Sequence, residues 1–139
     1  AEDLVFLGEL KPQMAGIGPF VPHHNTPFRN EPAGSVELTL RLLSMVRILL
    51  PRVLLPATTA LGTMDPLGRE KGFAAGANVL MPNLSPAGRR KQYDLYDNKL
   101  CTGDEAAESL ADLKKRVEAA GWRLSMERGD AAEEREDDT

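Results

Sequence analysis

Few side chains in this 139-residue chain could do chemistry: His23 and His24, Thr58 and Thr59, Tyr93 and Tyr96, and Cys101. The threonine pair follows an apolar run that ends in Pro56-Ala57, where a strand is predicted to end. Side chains alternate along a strand, so one hydroxyl should face inward and the other the wall. An inward hydroxyl could orient a polar ligand; the plainer reading is two β-branched strand residues. Tyr93 and Tyr96 are i,i+3 on a predicted helix and so share a face. They either pack in a core or present a ring and a hydroxyl to a ligand. His23 and His24 are neighbours, and neighbours in extended chain point opposite ways, so they read as loop residues. Two histidines and one cysteine do not supply the usual zinc set. Cys101 reads as a small buried hydrophobe. No Ser-His-Asp or Cys-His arrangement can be assembled.

Positioning these groups falls to three short segments at similar intervals. They are Gly16-Ile17-Gly18-Pro19-Phe20-Val21-Pro22-His23, Pro56-Ala57-Thr58-Thr59-Ala60-Leu61 and Ala77-Asn78-Val79-Leu80-Met81-Pro82-Asn83. Each is an apolar run that ends in Pro, Gly, Thr or Asn and is followed by a helical pattern. Strands of a parallel βα barrel read this way when ligand chemistry sits at their C-terminal ends. Gly16 and Gly18 either admit a flat ligand against the backbone or serve close packing. They are not a dinucleotide fingerprint, because the third glycine is missing and Pro19 follows.

The elements alternate. A helical pattern opens with Leu4, Leu7 and Leu10 and is ended by Lys11-Pro12. Residues 14–17 read as a buried strand and 22–34 as a loop. Ser35 caps a helix with Val36, Leu40, Leu43, Val46 and Leu50 on one face and Glu37, Arg41 and Ser44 away from it. Residues 53–56 form the second strand, with 57–62 as its exit. Asp65-Pro66 opens a short helix that Gly76 closes. Residues 77–81 are the third strand, and Ser85-Pro86 starts a helix to about Tyr96. Thr102 and Glu105 have capping-box spacing before a last helix carrying Leu110, Leu113 and Val117, which Gly121 ends. The class is α/β, with parallel strands alternating with helices. Three strands cannot close a barrel, so the arc needs partner strands; a short open sheet is the alternative.

Composition narrows the functional classes. No apolar run approaches the roughly 18 residues that a membrane span needs, and mean hydropathy is −0.32. The net charge is −4, and the tail at 127–139 carries seven acids and two arginines, leaving the rest near +1 by subtraction. Such a body lacks the basic stripe of a nucleic-acid binder. Arg89-Arg90-Lys91 reads as a solvated helix face. The acidic tail is expected to stay disordered. A lone cysteine and acidic first residues, with no export signal, predict a cytoplasmic protein. A chain that opens inside a helix, without Met, is expected to be part of something longer.

Several linked runs, in order, resemble one family. They are Gly16 to His23 with Asn25-Thr26-Pro27, Arg47-Ile48-Leu49-Leu50-Pro51, Pro56-Ala57-Thr58-Thr59-Ala60, Gly68-Arg69-Glu70, Gly76-Ala77-Asn78-Val79-Leu80-Met81-Pro82-Asn83 and Tyr93-Asp94-Leu95-Tyr96. Over about residues 4–129 the chain resembles the HydE family, the radical SAM maturases of FeFe-hydrogenases. Biotin synthase and methylornithine synthase share the same barrel type. The resemblance implies that residues 1–126 are the C-terminal arc of a radical SAM TIM-type (βα)8 barrel. It implies S-adenosyl-L-methionine and a 4Fe-4S cluster as cofactors, the cluster held by an N-terminal Cys-x-x-x-Cys-x-x-Cys loop. It implies a small organometallic iron substrate and other hydrogenase maturation proteins as partners. Carried over by position, Met14, Val21, Tyr93 and Leu95 would border S-adenosyl-L-methionine, and Thr58, Thr59 and Met81 would line the substrate cavity. No role is carried over to His23.

Two departures follow from the residues. The cluster-binding cysteines are not in this chain, so alone it is expected to be inert. Cys101 matches the first cysteine of an accessory cluster found in some family members, but 102–114 contains no partner for it. The alternatives are a standalone half-barrel that binds a nucleoside or a partner chain, its open sheet edges inviting pairing, or part of a biotin synthase- or methylornithine synthase-like enzyme.

Overall fold

The computed structural model describes residues 1–82, 89 and 106–131. The expected helix at 85–96, the Leu100-Cys101 turn, the capping box, Tyr93, Leu95, Tyr96, Cys101 and residues 132–139 of the acidic tail lie outside them.

The first helix, α1 (Glu2–Leu10), ends where Lys11 turns left-handed at φ 46° and its N–H reaches the Leu7 carbonyl. Leu4 and Leu7 pack on the core, while Val5, Phe6 and Leu10 stand more than half exposed. α2 (Val36–Leu49) starts at Ser35, whose hydroxyl accepts from the Leu38 N–H at 3.1 Å. Such a cap stabilises a helix by about 1 kcal/mol. Glu37 and Arg41 form an i,i+4 ion pair on the exposed face. The helix stops at Leu49 because Pro51 disfavours helix in the residue before it. Leu43 and Val46 are fully buried, as the pattern predicts, with Val36, Leu40 and Leu50 packed around them. Ser44 departs from its expected solvent position: its hydroxyl donates to the Ala75 carbonyl at 3.0 Å.

Between the helices run three extended segments, at 13–15, 53–57 and 77–80. Met14 forms a parallel bridge with Leu54, and Pro56 one with Val79, so the middle segment lies between the other two. The bridges are real ladders in miniature. Ala15 N–H donates to Leu54 O at 3.0 Å, Leu54 N–H to Gln13 O at 2.9 Å, and Ala57 N–H to Val79 O at 2.9 Å. Asn78 adds its side chain, accepting from Leu55 N–H at 2.8 Å. Both bridges are parallel, but the expected arc of parallel strands is not established by them. Full strands do not form among the described residues; pairing is confined to isolated bridges. Within the segments, Pro56 lacks a ladder donor, and Gly16 follows the first segment at once.

After the middle segment the chain forms a helix that sequence reading takes for a strand exit. α3 (Thr59–Met64) begins directly at the threonine pair. α4 (Gly68–Ala74) follows, two residues later than Asp65-Pro66 implies, because Asp65 is the cap of α3 and its carboxylate accepts from the Leu67 N–H. The two helices meet closely: a Cβ on Gly68 would stand 2.1 Å from the Leu61 carbonyl oxygen. Gly76, at φ 110°, turns the chain into the third segment. The last helix, α5 (Ala106–Ala119), buries Leu113 and Val117 and ends near Gly121 at φ 85°.

The core is in two parts. One joins Ala15, Leu43, Val46, Val53, Leu55 and Leu61; the other joins Ala57, Phe73, Ala77 and Val117. Complete burial of Leu43, Leu55 and Leu61 contributes about 2 kcal/mol each.

Candidate functional site

The candidate site is where the three segments end. Gly18 from the first and Thr58 after the second are in contact there: a Cβ on Gly18 would stand 2.8 Å from Thr58 Oγ1. Gly18 therefore serves close packing at this corner. Gly16 differs, since a Cβ there would meet nothing within 4 Å.

Thr58 and Thr59 are not alternating strand residues. Thr58 is the N-cap of α3, and its Oγ1 accepts from the Leu61 N–H at 3.3 Å. Thr59 is the first helical residue, and its Oγ1 accepts from Arg69 Nη2 at 3.3 Å. The turn into a helix replaces the inward-and-wall alternation with two hydroxyls that each have a distinct partner. Both residues are half-buried at the segment end.

Arg69 is the group that sequence reading passes over. It is only 5% exposed and lies on α4 beneath Thr59. A signal for it was present: Arg69, Gly72 and Phe73 share a helix face by spacing, and Gly72 and Phe73 are buried. A cation on that face has to be accommodated electrostatically. Next to it, the Glu70 carboxylate takes two bonds from Arg116 of α5, at 2.5 and 2.9 Å. Arg116 also donates to the Pro66 carbonyl at 2.6 Å. Burial pushes the Glu70 carboxyl up, but the Arg116 hydrogen bond, a backbone bond and the charges of Arg116 and Arg69 outweigh it, holding it below the usual carboxylate range.

Among the described residues, Met14, Val21 and Met81 make no hydrogen bond to Thr58 or Thr59. Met14 is 47% exposed beside the bridge to Leu54, so the first segment is less buried than its apolar pattern predicts. Val21 is half-buried in the loop that follows. Met81 is 52% exposed at the end of the third segment. Tyr93 and Leu95 lie outside the described residues. His23 and His24 do not point apart: their rings stack with centroids 4.5 Å from each other, because a turn and not extended chain carries them. His23 Nδ1 accepts from the Asn25 N–H at 3.0 Å, which gives that nitrogen a local structural role.

The loop holding these histidines closes on itself, with the Gly34 N–H bonded to the Phe20 carbonyl at 2.8 Å. Phe20 and Phe28 meet edge to face there, and with Glu31 and Pro32 they line an open cavity of about 460 Å³. No group of three or more His, Cys, Asp or Glu side chains able to hold a metal ion occurs among the described residues. No described helix is long and apolar enough to cross a membrane.

No family model matches the chain. It is 45% identical over 120 residues to the [FeFe] hydrogenase maturase subunit HydE of Thermotoga maritima, covering 86% of this chain and 34% of that protein. It is 27% identical over 112 residues to the 3-methylornithine synthase of Methanosarcina barkeri, covering 81% of this chain and 31% of that protein. The corresponding synthase of Methanosarcina acetivorans is 26% identical over 110 residues, covering 79% of this chain and 30% of that protein. In sequence this chain is thus a relative of the HydE maturase, alike over 86% of its own length and spanning about a third of that relative.

Proposed function

We propose that this chain supplies the C-terminal arc of a HydE-like radical SAM enzyme that matures the FeFe-hydrogenase active-site cluster. The observation that carries the reading is the 45% identity to HydE across 86% of the chain. The two methylornithine synthases support the broader radical SAM class at 27% and 26% identity, and the higher value favours the HydE type over theirs. The parallel bridges Met14–Leu54 and Pro56–Val79 fit neighbouring strands of a TIM-type barrel arc.

In this reading Met14, Val21, Tyr93 and Leu95 border S-adenosyl-L-methionine, which when bound supplies the 5′-deoxyadenosyl group for radical chemistry. Thr58, Thr59 and Met81 line the cavity for a small organometallic iron substrate. Gly16 fits an approach by a ligand, since the space where its side chain would be is open. The residues do not fit the 4Fe-4S cluster: a cubane needs several thiolates, and this sequence contains one cysteine. The chain's own contribution is thus to bind and orient. Thr58 fixes the corner by capping α3, and Thr59 presents a hydroxyl whose oxygen is held by Arg69. A cytoplasmic setting and association with other hydrogenase maturation proteins belong to the same proposal.

The test is iron–sulfide reconstitution. The 139-residue chain should give no stable 4Fe-4S absorption or EPR signal, while a HydE-type protein that includes the three-cysteine loop should give one and cleave S-adenosyl-L-methionine. A stable cubane on this chain alone would sink the proposal.

A further inference from the structure

We propose that Arg69 is a positioning residue that fixes the Thr59 hydroxyl as a hydrogen-bond donor at the segment-end corner. Within a helix, threonine divides between two χ1 rotamers because its hydroxyl can reach a carbonyl one turn back. Thr59 is the first residue of α3, so no helical turn precedes it. The carbonyl four residues back, on Leu55, is already taken by the Asn78 and Val79 N–H groups at 2.9 and 3.2 Å. The Leu55 carbonyl is therefore not what holds the Thr59 rotamer. The contact that does is the 3.3 Å bond from Arg69 Nη2 to Thr59 Oγ1.

The direction of that bond sets the chemistry. A guanidinium has donors and no acceptor, so the Thr59 oxygen can only accept from it. The hydroxyl's own hydrogen is left for an acceptor on another group. Thr59 is half-buried and Arg69 is 5% exposed, so the arginine works from behind while the threonine is within reach of a ligand. The ligand group that suits a donor backed by a buried cation carries an acceptor oxygen, a carboxylate above all. The neighbouring Glu70 carboxylate, which Arg116 pins from α5, feels the Arg69 charge. The importance of the donor for catalysis rests on the reading of Thr59 as a substrate contact; the orientation does not.

Thr58 provides an internal control, because its own hydroxyl is fixed by the Leu61 N–H and not by Arg69. The experiment measures side-chain three-bond couplings for Thr58 and Thr59 in the isotope-labelled chain, in wild type, Arg69→Met and Arg69→Lys, without ligand. Wild type should hold one χ1 rotamer at both positions. Arg69→Met should spread Thr59 over more than one χ1 rotamer and leave Thr58 unchanged, and Arg69→Lys should restore Thr59. A single Thr59 rotamer in Arg69→Met overturns the proposal. So does joint averaging of Thr58 and Thr59, which would mean that Arg69 merely holds α3 together. Should Arg69→Met fail to fold, Thr59→Val reads the same contact from the other side, keeping the buried cation. It should shift the Arg69 guanidinium nitrogen signals, and unchanged signals overturn the proposal. None of these readouts depends on cluster loading or turnover, so the orientation and the HydE-like reading can fail separately.

Discussion

Arg47 Nε donates to the Gly76 carbonyl oxygen at 2.8 Å, tying the end of α2 to the turn that leads into the third segment. Its Nη1 adds a bond to the Pro51 carbonyl at 2.7 Å. One arginine thus joins two helix-to-segment turns, on the face opposite the threonine corner. In the proposed βα-barrel arc that face would serve stability and the other chemistry.

Arg47→Met should therefore cost stability and spare ligand contacts. Loss of two charge-assisted bonds to carbonyls at a partly buried site predicts about 2 kcal/mol. Gly76→Ala should add strain at the same joint, since φ is 110° and the new Cβ would stand 2.7 Å from Arg47 Cβ. About 2 kcal/mol is expected for that change as well. Urea denaturation of each variant and of the pair checks both values, and the pair should be non-additive because the residues touch.

Gly68→Ala tests the α3–α4 approach. The new Cβ would stand 2.1 Å from the Leu61 carbonyl oxygen, which is backbone and cannot swing aside. The helices must separate, at about 3 kcal/mol. Gly129→Ala, where a Cβ would meet nothing within 4 Å, should be near neutral. Thermal melting of the two variants side by side should show a large drop for the first alone.

The two threonines should separate by function. Thr58→Ala removes the α3 cap and should cost about 1 kcal/mol in a denaturant titration. Thr59→Ala takes an acceptor from the buried Arg69 guanidinium and should cost about 1–3 kcal/mol. In a HydE-type enzyme containing its cluster, Thr58→Val with Thr59→Val should reduce substrate turnover more than S-adenosyl-L-methionine binding. Equal loss of both would show that the pair only shapes the corner.

Glu70 should make stability fall in acid. Its folded pKa lies below its ordinary value of 4.5, so the unfolded state binds more protons in the acid window. The contribution is fully present above pH 4.5 and is lost as pH falls through the folded pKa. Near neutral pH, Glu70→Gln should be less stable than wild type by about 1 kcal/mol, as for a partly exposed bidentate pair. The difference should shrink toward zero as pH falls through the folded pKa, and also in high salt. Urea titrations from pH 7 to pH 3 provide the check.

Much of this molecule was legible one element at a time. The α2 face of Leu43 and Val46, the Ser35 cap, the stop before Pro51 and the turn at Gly76 are local matters, set by periodicity and backbone preference. The family likeness was legible for a related reason: linked motifs such as Gly76 to Asn83 occur in order along the chain. The threonine corner was found but misread. An apolar run followed by Thr58-Thr59 fits a strand end and a capped helix equally well, and only the contact with α4 selects the helix.

By itself the sequence determined the buried face of α2, its Ser35 cap and its stop before Pro51, the turn at Gly76 and the presence of a single cysteine. The tertiary structure decided which polar groups meet. Arg69 reaches Thr59 across ten positions, Arg47 reaches Gly76 across 29, and Arg116 reaches Glu70 across 46. Periodicity reports which face of an element is buried, but a buried cation's partner depends on what another element brings to it. That information exists only once the chain has folded.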